Sequence, residues 1–521
     1  MKPYHYITRV LPVAALLLTA SSCRDYLEVN LSPNEAISSP PNLLLTSIEG
    51  TLGYTMGSDP HRFTLLWAQQ LAAQNGRQTE QHDAYQVQPT EVNTMFRTNL
   101  YAGILADVNE LLNKDPQTTH PAYFGIARVI KAFTFAIITD MWGDVPFGQA
   151  LQGTANLQPK PDPSRDVYAG LLTLLDEGIA DLGRTSALVA PSTDDYIYSG
   201  NAQRWIRLAN TLKLRLYLHM LNAQAVTPDV VNAFVRANDA NFMASTADDF
   251  QLRFENLTNR QNPTHQFILS RTDDIAVSAT IVNLMNGKAD PRRAAYFTPA
   301  PFSAAALQTP PTSTTGYVGL ANGTGNNTVR NNLSRLHTYV RGNLTTAAAS
   351  IPAGPNLTVS GPGGLTYDGT APIQMLTFAE YNFIRAELAL RYNGPGTAQE
   401  FFTRGITASF TDAGLASQAA AYLTRQGTLT GAPAEQLRQL IEEKYVANFM
   451  VAVEPWNDWR RTGFPALSAI PRTNPLLGND GRVPRAFPYP QQEVDANPNL
   501  QQRPNLSERP VFWDTRTTGP Q

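Results

Sequence analysis

The chain has 521 residues, 42% of them apolar, with a formal net charge of −3 and a single cysteine. This length allows two to four ordinary domains or one large helical array. Without a basic excess the chain is not expected to bind nucleic acid, and one cysteine excludes a disulfide framework. Charged residues make up only 16%, below the usual share of about 25%. Amide, hydroxyl and aromatic residues take their place, which suits neutral polar ligands such as sugars or peptides.

The first 22 residues have the pattern of a lipoprotein signal peptide. Lys2 and Arg9 precede an uncharged, mostly apolar run over residues 10–20, and the residues from Thr19 to Ser22 are small. This order is typical of a secretory signal, and the run is shorter than the roughly 20 apolar residues that span a bilayer. A buried N-terminal helix is the alternative interpretation.

Cys23 follows the small residues directly, in the stretch LLLTASSCRD. We predict that its thiol is fatty-acylated, since two or more acyl chains give stable membrane anchoring. Lipoprotein sequences usually carry Leu three residues before the cysteine, where this chain has Ala20. The alternative is a free cysteine in an exported protein, although an unpaired cysteine is unusual there.

Residues 23–45 are predicted to be a lipid-anchored tether, because acids are mixed with Ser, Asn and Pro. Residues 46–521 are predicted to form one helical domain. Apolar residues at helical spacing predict helices over residues 104–114, 124–143, 166–183, 201–221, 274–286, 377–392, 397–409 and 434–453. Gly143 is the predicted stop of the second of these, and Ser164 or Asp166 the cap of the third.

Residues 299–372 are rich in Pro, Gly, Ser, Thr and Asn, which predicts a long irregular insertion with few short strands. The tail from about residue 463 is Pro-rich and irregular as well. Amphipathic helix pairs that cannot bury their faces alone favour stacked, solenoid-like packing, although no clean 34-residue period is present. The predicted fold class is therefore mainly α, with long loop insertions.

Catalytic signatures are missing from the sequence. The seven histidines are scattered, and there is no His-Glu-x-x-His helix, Gly-x-Ser-x-Gly turn or phosphate-binding loop. Facing carboxylates for glycoside cleavage stand about 5 to 9.5 Å apart, and nothing in the sequence points to such a pair. We therefore expect no enzyme activity, and a surface glycoside hydrolase is the alternative.

Two clusters of aromatic and charged residues occupy positions 140–150 (DMWGDVPFGQA) and 454–465 (EPWNDWRRTGFP). Trp456 and Trp459 share a helical face, while Arg460 and Arg461 can bond acids or loop carbonyls. The favoured interpretation is structural for both: a corner at a helix end, and a helix terminus that holds the C-terminal tail on the core. A ligand platform is the alternative for the second cluster.

Several segments, in this order, resemble the SusD/RagB family of nutrient-binding outer-membrane lipoproteins of Bacteroidetes, and its second SusD-like branch in particular. They are MWGDVPFGQAL, YSGNAQRWIRLANTLKLRLYL, ADPRRAAYF, LTFAEYNFIRAELALR, IEEKYVANFMVAVEPWNDWRRTGFP, and IPRTNP with VPRAFPYPQQEVDANPN. Their order and spacing match the family from about residue 40 to residue 500.

The resemblance implies a scaffold of tetratricopeptide-like helix pairs with an irregular ligand-facing half. It also implies a position on the outer membrane, facing the cell surface and held by lipid on Cys23. The implied role is capture of an oligosaccharide or peptide for a SusC-like, TonB-dependent transporter, without chemistry. A helical-repeat scaffold lipoprotein without a small ligand is a further alternative.

The resemblance transfers no ligand-binding residue, because family members bind through variable loops. Aromatic rings can stack on sugar faces, and the candidates on loops or helix ends are Trp67, Tyr85, Tyr101, Tyr296, Tyr317 and Tyr339. Trp67, Tyr85 and Tyr317 are selected from these as ligand-binding residues, with burial in the core as the alternative. No cofactor is expected. The Asn-Asp-Gly loop at residues 479–481 could hold calcium, but this sequence is more often a simple turn.

Overall fold

The computed structural model of the protein describes residues 39–75, 77–114, 120–184, 190–272, 274–300, 302, 304–313, 315–325, 332–346, 365–470 and 482–517. The predicted signal peptide, Cys23 and the Asn-Asp-Gly loop lie outside these ranges. Within them helices predominate and the strands are short, which confirms the predicted mainly α fold.

The α-helices follow in chain order: α1 (Pro41–Met56), α2 (Asp59–Trp67), α3 (Arg77–Asp83), α4 (Ala106–Leu112), α5 (Pro121–Trp142), α6 (Ser164–Leu182), α7 (Ala202–Asn222), α8 (Pro228–Ala237), α9 (Pro263–Ser270), α10 (Ala279–Gly287), α11 (Arg293–Tyr296), α12 (Ala304–Gln308), α13 (Thr338–Arg341), α14 (Phe378–Tyr392), α15 (Ala398–Asp412), α16 (Ala419–Gln426), α17 (Pro433–Ala447), α18 (Glu454–Thr462) and α19 (Gln491–Ala496). A π-helix, Thr94–Leu105, leads directly into α4. The strands are β1 (Leu71–Ala73), β2 (Phe250–Leu252), β3 (Ile275–Val277) and β4 (Ile373–Leu376), and they form two antiparallel pairs, β1 with β3 and β2 with β4.

Helix α5 is the helix predicted over residues 124–143, and it begins three residues earlier at Pro121. Pro is favoured at the first helical position because its N–H is not needed there. Gly143 ends the helix with a φ of 77°, a conformation that glycine adopts without a Cβ clash. By length and composition α5 could cross a membrane, but most of it is buried within the protein, as expected of a core helix.

Helix α6 starts at Ser164, close to the prediction, but without the predicted cap. Pro163 precedes the helix, and neither Ser164 nor Asp166 caps it through its side chain. Instead, the Asp144 carboxylate accepts the Ser164 backbone N–H at 2.7 Å. A residue from the preceding loop thus satisfies the free N–H, which local sequence could not show.

Two predicted helices are divided by tertiary contacts. The stretch predicted over residues 274–286 starts as strand β3, because it pairs with β1, and becomes helical only at Ala279. The helix predicted over residues 434–453 ends at Ala447, and Met450 and Val453 take positive φ before α18 begins. In both places the structure differs from the predicted helix because of contacts with residues distant in sequence. The hydrophobic periodicity of a local segment does not report such contacts.

Successive helices pack in pairs: α5 lies along α6, α6 along α7, and α14 along α15. The approach of α5 to α6 depends on Gly125. A Cβ on Gly125 would lie 2.9 Å from the carbonyl oxygen of Gly178 and 2.6 Å from the Leu182 side chain. The main hydrophobic core runs through most of these elements, and a smaller core lies among α14 to α17.

The C-terminal segment packs back onto α5 and α18. The Trp456 indole N–H donates to the Pro484 carbonyl at 2.8 Å, and the Trp142 indole N–H donates to the Pro488 carbonyl at 2.9 Å. Arg460 bonds a further carbonyl of the same segment. The structural interpretation of both aromatic clusters is therefore confirmed.

Candidate functional site

A polar cleft of about 480 Å³ lies where the β2–β4 sheet meets α13 and the C-terminal end of α15. Its lining includes Asp249 just before β2, Gln251 in β2, Tyr339 in α13, Gln374 in β4 and Asp412 at the end of α15. Ligand sites are typically concave and carry a few convergent polar groups. This cleft is therefore the candidate binding site.

Asp249 and Asp412 are in hydrogen-bond contact with each other in the cleft. Asp249 is buried, and its Oδ1 accepts the backbone N–H of Phe378 at 2.6 Å. Burial, and then the neighbouring carboxyl, raises the pKa of Asp249, while burial raises the pKa of Asp412 to about 7. Because adjacent carboxyls resist ionising together, the pair retains a shared proton near neutral pH.

Two glutamines belong to the same cleft. Gln251 of β2 is the register partner of Gln374 in β4. Tyr339 donates its hydroxyl to Gln374 Oε1 at 2.7 Å, and in the described part of the chain the Gln374 amide NH₂ has no hydrogen-bond partner. Gln374 is only 9% exposed. The Gln374 amide nitrogen is not among the fully buried unpartnered atoms, so it is accessible from the cleft and can donate to an acceptor on a ligand.

His61 also lines the cleft, but its ring nitrogens are used by the fold. Its Nε2 lies 2.8 Å from the Met450 carbonyl oxygen, and its Nδ1 lies 3.3 Å from the Thr264 hydroxyl. Burial lowers the pKa of His61 to about 4. The imidazole is therefore neutral at physiological pH and adds no charge to the cleft.

The three aromatic residues selected from the sequence lie away from this cleft. Trp67 and Tyr85 are fully buried, and the Tyr85 hydroxyl accepts the Gln69 amide at 3.0 Å. Tyr317 is 2% exposed, lies 5.0 Å from the Arg293 guanidinium, and borders a separate cavity. Their burial agrees with the alternative of core packing, and their role in ligand binding stays a prediction.

Most residues of the cleft were not predicted from the sequence. Tyr339 was among the six aromatic candidates but was not selected, and neither carboxyl nor either glutamine was named. Asp249 and Asp412 are far apart in the chain and have no local motif. Only the antiparallel pairing of β2 with β4 and the position of α15 bring these groups together.

A second cavity, of about 620 Å³, lies among α8, α14 and α15. Its central cation, Arg385, is already satisfied: it donates to the Tyr381 hydroxyl at 2.6 Å and to the Pro395 carbonyl at 3.2 Å. The guanidinium also lies 4.4 Å from the Phe401 ring centre. Because the fold already uses this central guanidinium, the cleft with its unbonded Gln374 amide is taken as the candidate site.

No metal centre emerges from the part of the chain that the structure describes. Among those residues there is no group of three or more His, Cys, Asp or Glu side chains placed to hold a metal ion. The two carboxyls of the cleft are the only acidic side chains in its lining, as far as the described residues show.

The SusD-like family model described as "Starch-binding associating with outer membrane" matches residues 33–490. The chain belongs to the SusD-like family. This confirms the resemblance inferred from the ordered sequence segments, and with it a carbohydrate-binding protein family of the outer membrane. No curated protein matches the chain.

Solved structures show the same fold as this SusD-like chain. A chitin-binding protein superposes with a TM-score of 0.73 at 21% identity, covering 92% of this chain and 100% of its own. A SusD homolog from Bacteroides uniformis gives 0.71 at 23% identity, with 91% and 99% covered. A chitin-binding SusD homolog from Flavobacterium johnsoniae gives 0.70 at 21% identity, with 92% and 98% covered. At these identities the likeness concerns the fold.

Proposed function

We propose that this SusD-like protein is a lipid-anchored, non-catalytic binding protein of the cell surface. It captures oligosaccharides or peptides and delivers them to a SusC-like, TonB-dependent transporter in the outer membrane. Family membership supports carbohydrate binding at that membrane. The observation that carries the proposal is the polar cleft with its free Gln374 amide.

The chemistry of the cleft suits a saccharide. Sugar hydroxyls both donate and accept, and the cleft offers a free amide donor at Gln374 and carboxyl acceptors at Asp249 and Asp412. Tyr339 contributes a half-buried ring for contact with an apolar sugar face. Two structurally similar proteins are named as chitin-binding, so chitin oligomers are the first glycans to test.

The carboxyl pair does not match a glycoside hydrolase. Glycosidase carboxylates stand about 5 to 9.5 Å apart, which leaves room for the sugar or a water. Asp249 and Asp412 instead contact each other directly. This favours binding over cleavage, and product analysis on a carbohydrate panel tests it. Sustained turnover that disappears in Asp412→Asn would contradict the proposal.

Ligand binding is tested with a soluble fragment that starts after Cys23, on a glycan array and by calorimetry. Replacing Gln374 by Ala removes the free amide, and we expect the affinity for the best glycan to fall about tenfold. Tyr196→Ala is the matched control, because Tyr196 is 55% exposed and lies outside the cleft lining. Equal losses in both variants would contradict the assignment of the cleft.

Delivery to a transporter is tested separately with the full-length lipoprotein. Mild detergent extraction of the outer membrane and affinity capture should recover a barrel protein of roughly twice the mass of this chain. Recovery of the chain alone, together with no bound saccharide or peptide, would instead favour a scaffold lipoprotein without a small ligand.

A further inference from the structure

The carboxyl pair in the cleft lacks a counter-charge. Neither Asp249 nor Asp412 forms an ion pair with a Lys or Arg side chain in the described part of the chain. Asp248, next in sequence, is already paired with Arg207 at 3.2 Å. Arg253 lines the cleft but is exposed. Two carboxyls in contact, one of them buried, are therefore stabilised by binding a positive group. A shared proton is the smallest such group.

The Gln374 amide is a second polar group of the cleft, and its NH₂ is bonded by no residue in the described part of the chain. It lies in the same cleft, is more than nine-tenths buried and is oriented by Tyr339. Gln374, Asp249 and Asp412 line the same cleft, so the amide and the carboxyl pair border one space. The occupant of that space must accept a hydrogen bond from the amide and offer a cation or several donors to the carboxyls.

We infer that the cleft selects a ligand with a primary ammonium group next to a hydroxyl oxygen, as in an amino sugar that is not acetylated. The ammonium has three N–H donors and can form hydrogen bonds to both Asp249 and Asp412. The neighbouring hydroxyl oxygen can accept a hydrogen bond from the Gln374 amide. A charge-assisted bond of this kind is roughly twice as strong as a neutral one. This inference rests on the proposed binding function and names the ligand class for its site.

An acetylated amino sugar lacks both the positive charge and the three N–H donors of the ammonium. Its amide nitrogen has one donor and no charge, so the carboxyl pair must keep its proton. Acetylation therefore removes the positive charge that would complement the carboxyl pair, and it leaves the sugar ring unchanged. The tetramers of glucosamine and N-acetylglucosamine are thus a matched pair of probes.

The test measures dissociation constants of the soluble fragment for these two tetramers, and for tetralysine, under conditions where the amines are protonated. We expect the glucosamine tetramer to bind at least about tenfold more tightly than the acetylated one. Asp412→Asn should abolish this preference, and Asp166→Asn, an exposed carboxylate at the start of α6, should keep it. If tetralysine binds as tightly and with the same dependence on Asp412, an ammonium alone is enough, and the inference of an amino sugar with a neighbouring hydroxyl is overturned.

Three further results would overturn the inference. The acetylated tetramer could bind as tightly as the aminated one, or the preference could persist in Asp412→Asn. Calcium binding that Asp412→Asn abolishes would supply the pair with a different cation. Each of these leaves the proposed capture of glycans intact if the array still identifies a neutral ligand. The preference of the unmodified protein needs no variant, so poor folding of Asp412→Asn leaves the test decisive.

Discussion

Individual side chains in this protein handle buried charge in two opposite ways. Deep in the core, Arg461 holds Glu387 in a two-pronged ion pair, with Nη2 to Oε2 at 2.7 Å. Burial alone would raise the pKa of Glu387, but the Arg461 guanidinium lowers it to about 2. In the cleft, by contrast, no Lys or Arg of the described residues forms an ion pair with Asp249 or Asp412, and burial raises the pKa values of both carboxyls. The buried carboxylate is thus neutralised by an ion pair in the core, whereas the carboxyl pair at the candidate site has no such partner among the described residues.

The raised pKa of Asp412 has a consequence for stability. Its folded pKa of about 7 lies above the ordinary value of 3.8, so the folded state binds more protons between these pH values. The free energy of unfolding should therefore fall as pH rises from about 4 to about 7. Asp412→Asn should flatten this fall by on the order of 2 kcal/mol, measured by urea unfolding at several pH values.

The control for this pH effect is Asp166→Asn, which removes an exposed carboxylate. Asp83, whose pKa burial raises to about 7, contributes the same slope in all these proteins. An unchanged slope in Asp412→Asn would show that the carboxyl pair does not hold its proton in the folded protein.

The core ion pair gives the opposite pH dependence. Glu387→Gln leaves Arg461 buried without its main partner, and we expect the free energy of unfolding to drop by about 3 kcal/mol at neutral pH. Because the pKa of Glu387 is lowered, this contribution is present above about pH 4.5 and is lost toward pH 2. Chemical unfolding at neutral pH and at low pH measures both.

An exposed pair on the neighbouring helix serves as the control. Glu400 and Arg404 are paired but about half exposed, and Glu400→Gln should cost less than about 0.5 kcal/mol. Similar losses in both variants would mean that burial does not set the strength of the Glu387 pair.

At the scale of the elements, glycine determines how closely α5 and α6 approach. Helix α5 has 22 residues and α6 has 19, and their contact is the most extensive helix pairing in the described part of the chain. Gly125 faces Gly178 across it, and an added Cβ would meet the Gly178 carbonyl oxygen at 2.9 Å as well as the Leu182 side chain at 2.6 Å. The pair cannot separate locally without disturbing the packing of the core.

We therefore expect Gly125→Ala to destabilise the protein by about 1 to 3 kcal/mol through overpacking. Gly50→Ala in α1 is the matched control, because nothing lies within 4 Å of its added Cβ. Removing a helix-interior glycine should there increase stability by about 0.5 to 1 kcal/mol. Thermal melting of both variants measures these changes in stability. If Gly125→Ala increased the stability, the close approach of the two helices would be refuted.

At the scale of the whole molecule, the predicted lipid anchor determines where the binding domain works. We expect Cys23→Ser to move the protein from the outer-membrane fraction to the soluble fraction, because a chain without acyl groups has no membrane anchor. Fractionation followed by mass spectrometry of the N-terminal peptide measures both location and acylation. Ligand affinity should remain unchanged, and membrane retention of the variant would contradict anchoring through Cys23.

The long helices and the family could be predicted from the sequence because they depend on local information. Residues 124–143, 166–183 and 201–221 each show a helical period, and the structure places α5, α6 and α7 there within a few residues. The ordered segments around Trp142 and Trp456 indicated the family, and the family model matches residues 33–490, which include both.

The cleft, by contrast, is formed only by the tertiary structure. Asp249, Gln374 and Asp412 come from distant parts of the chain, and each looks locally like an ordinary surface residue. Their chemistry arises when strand pairing and the end of α15 bury them side by side, which alters their hydrogen bonding and raises the carboxyl pKa values. Helical periodicity is a property of neighbours in sequence, whereas burial and electrostatic coupling are properties of neighbours in space.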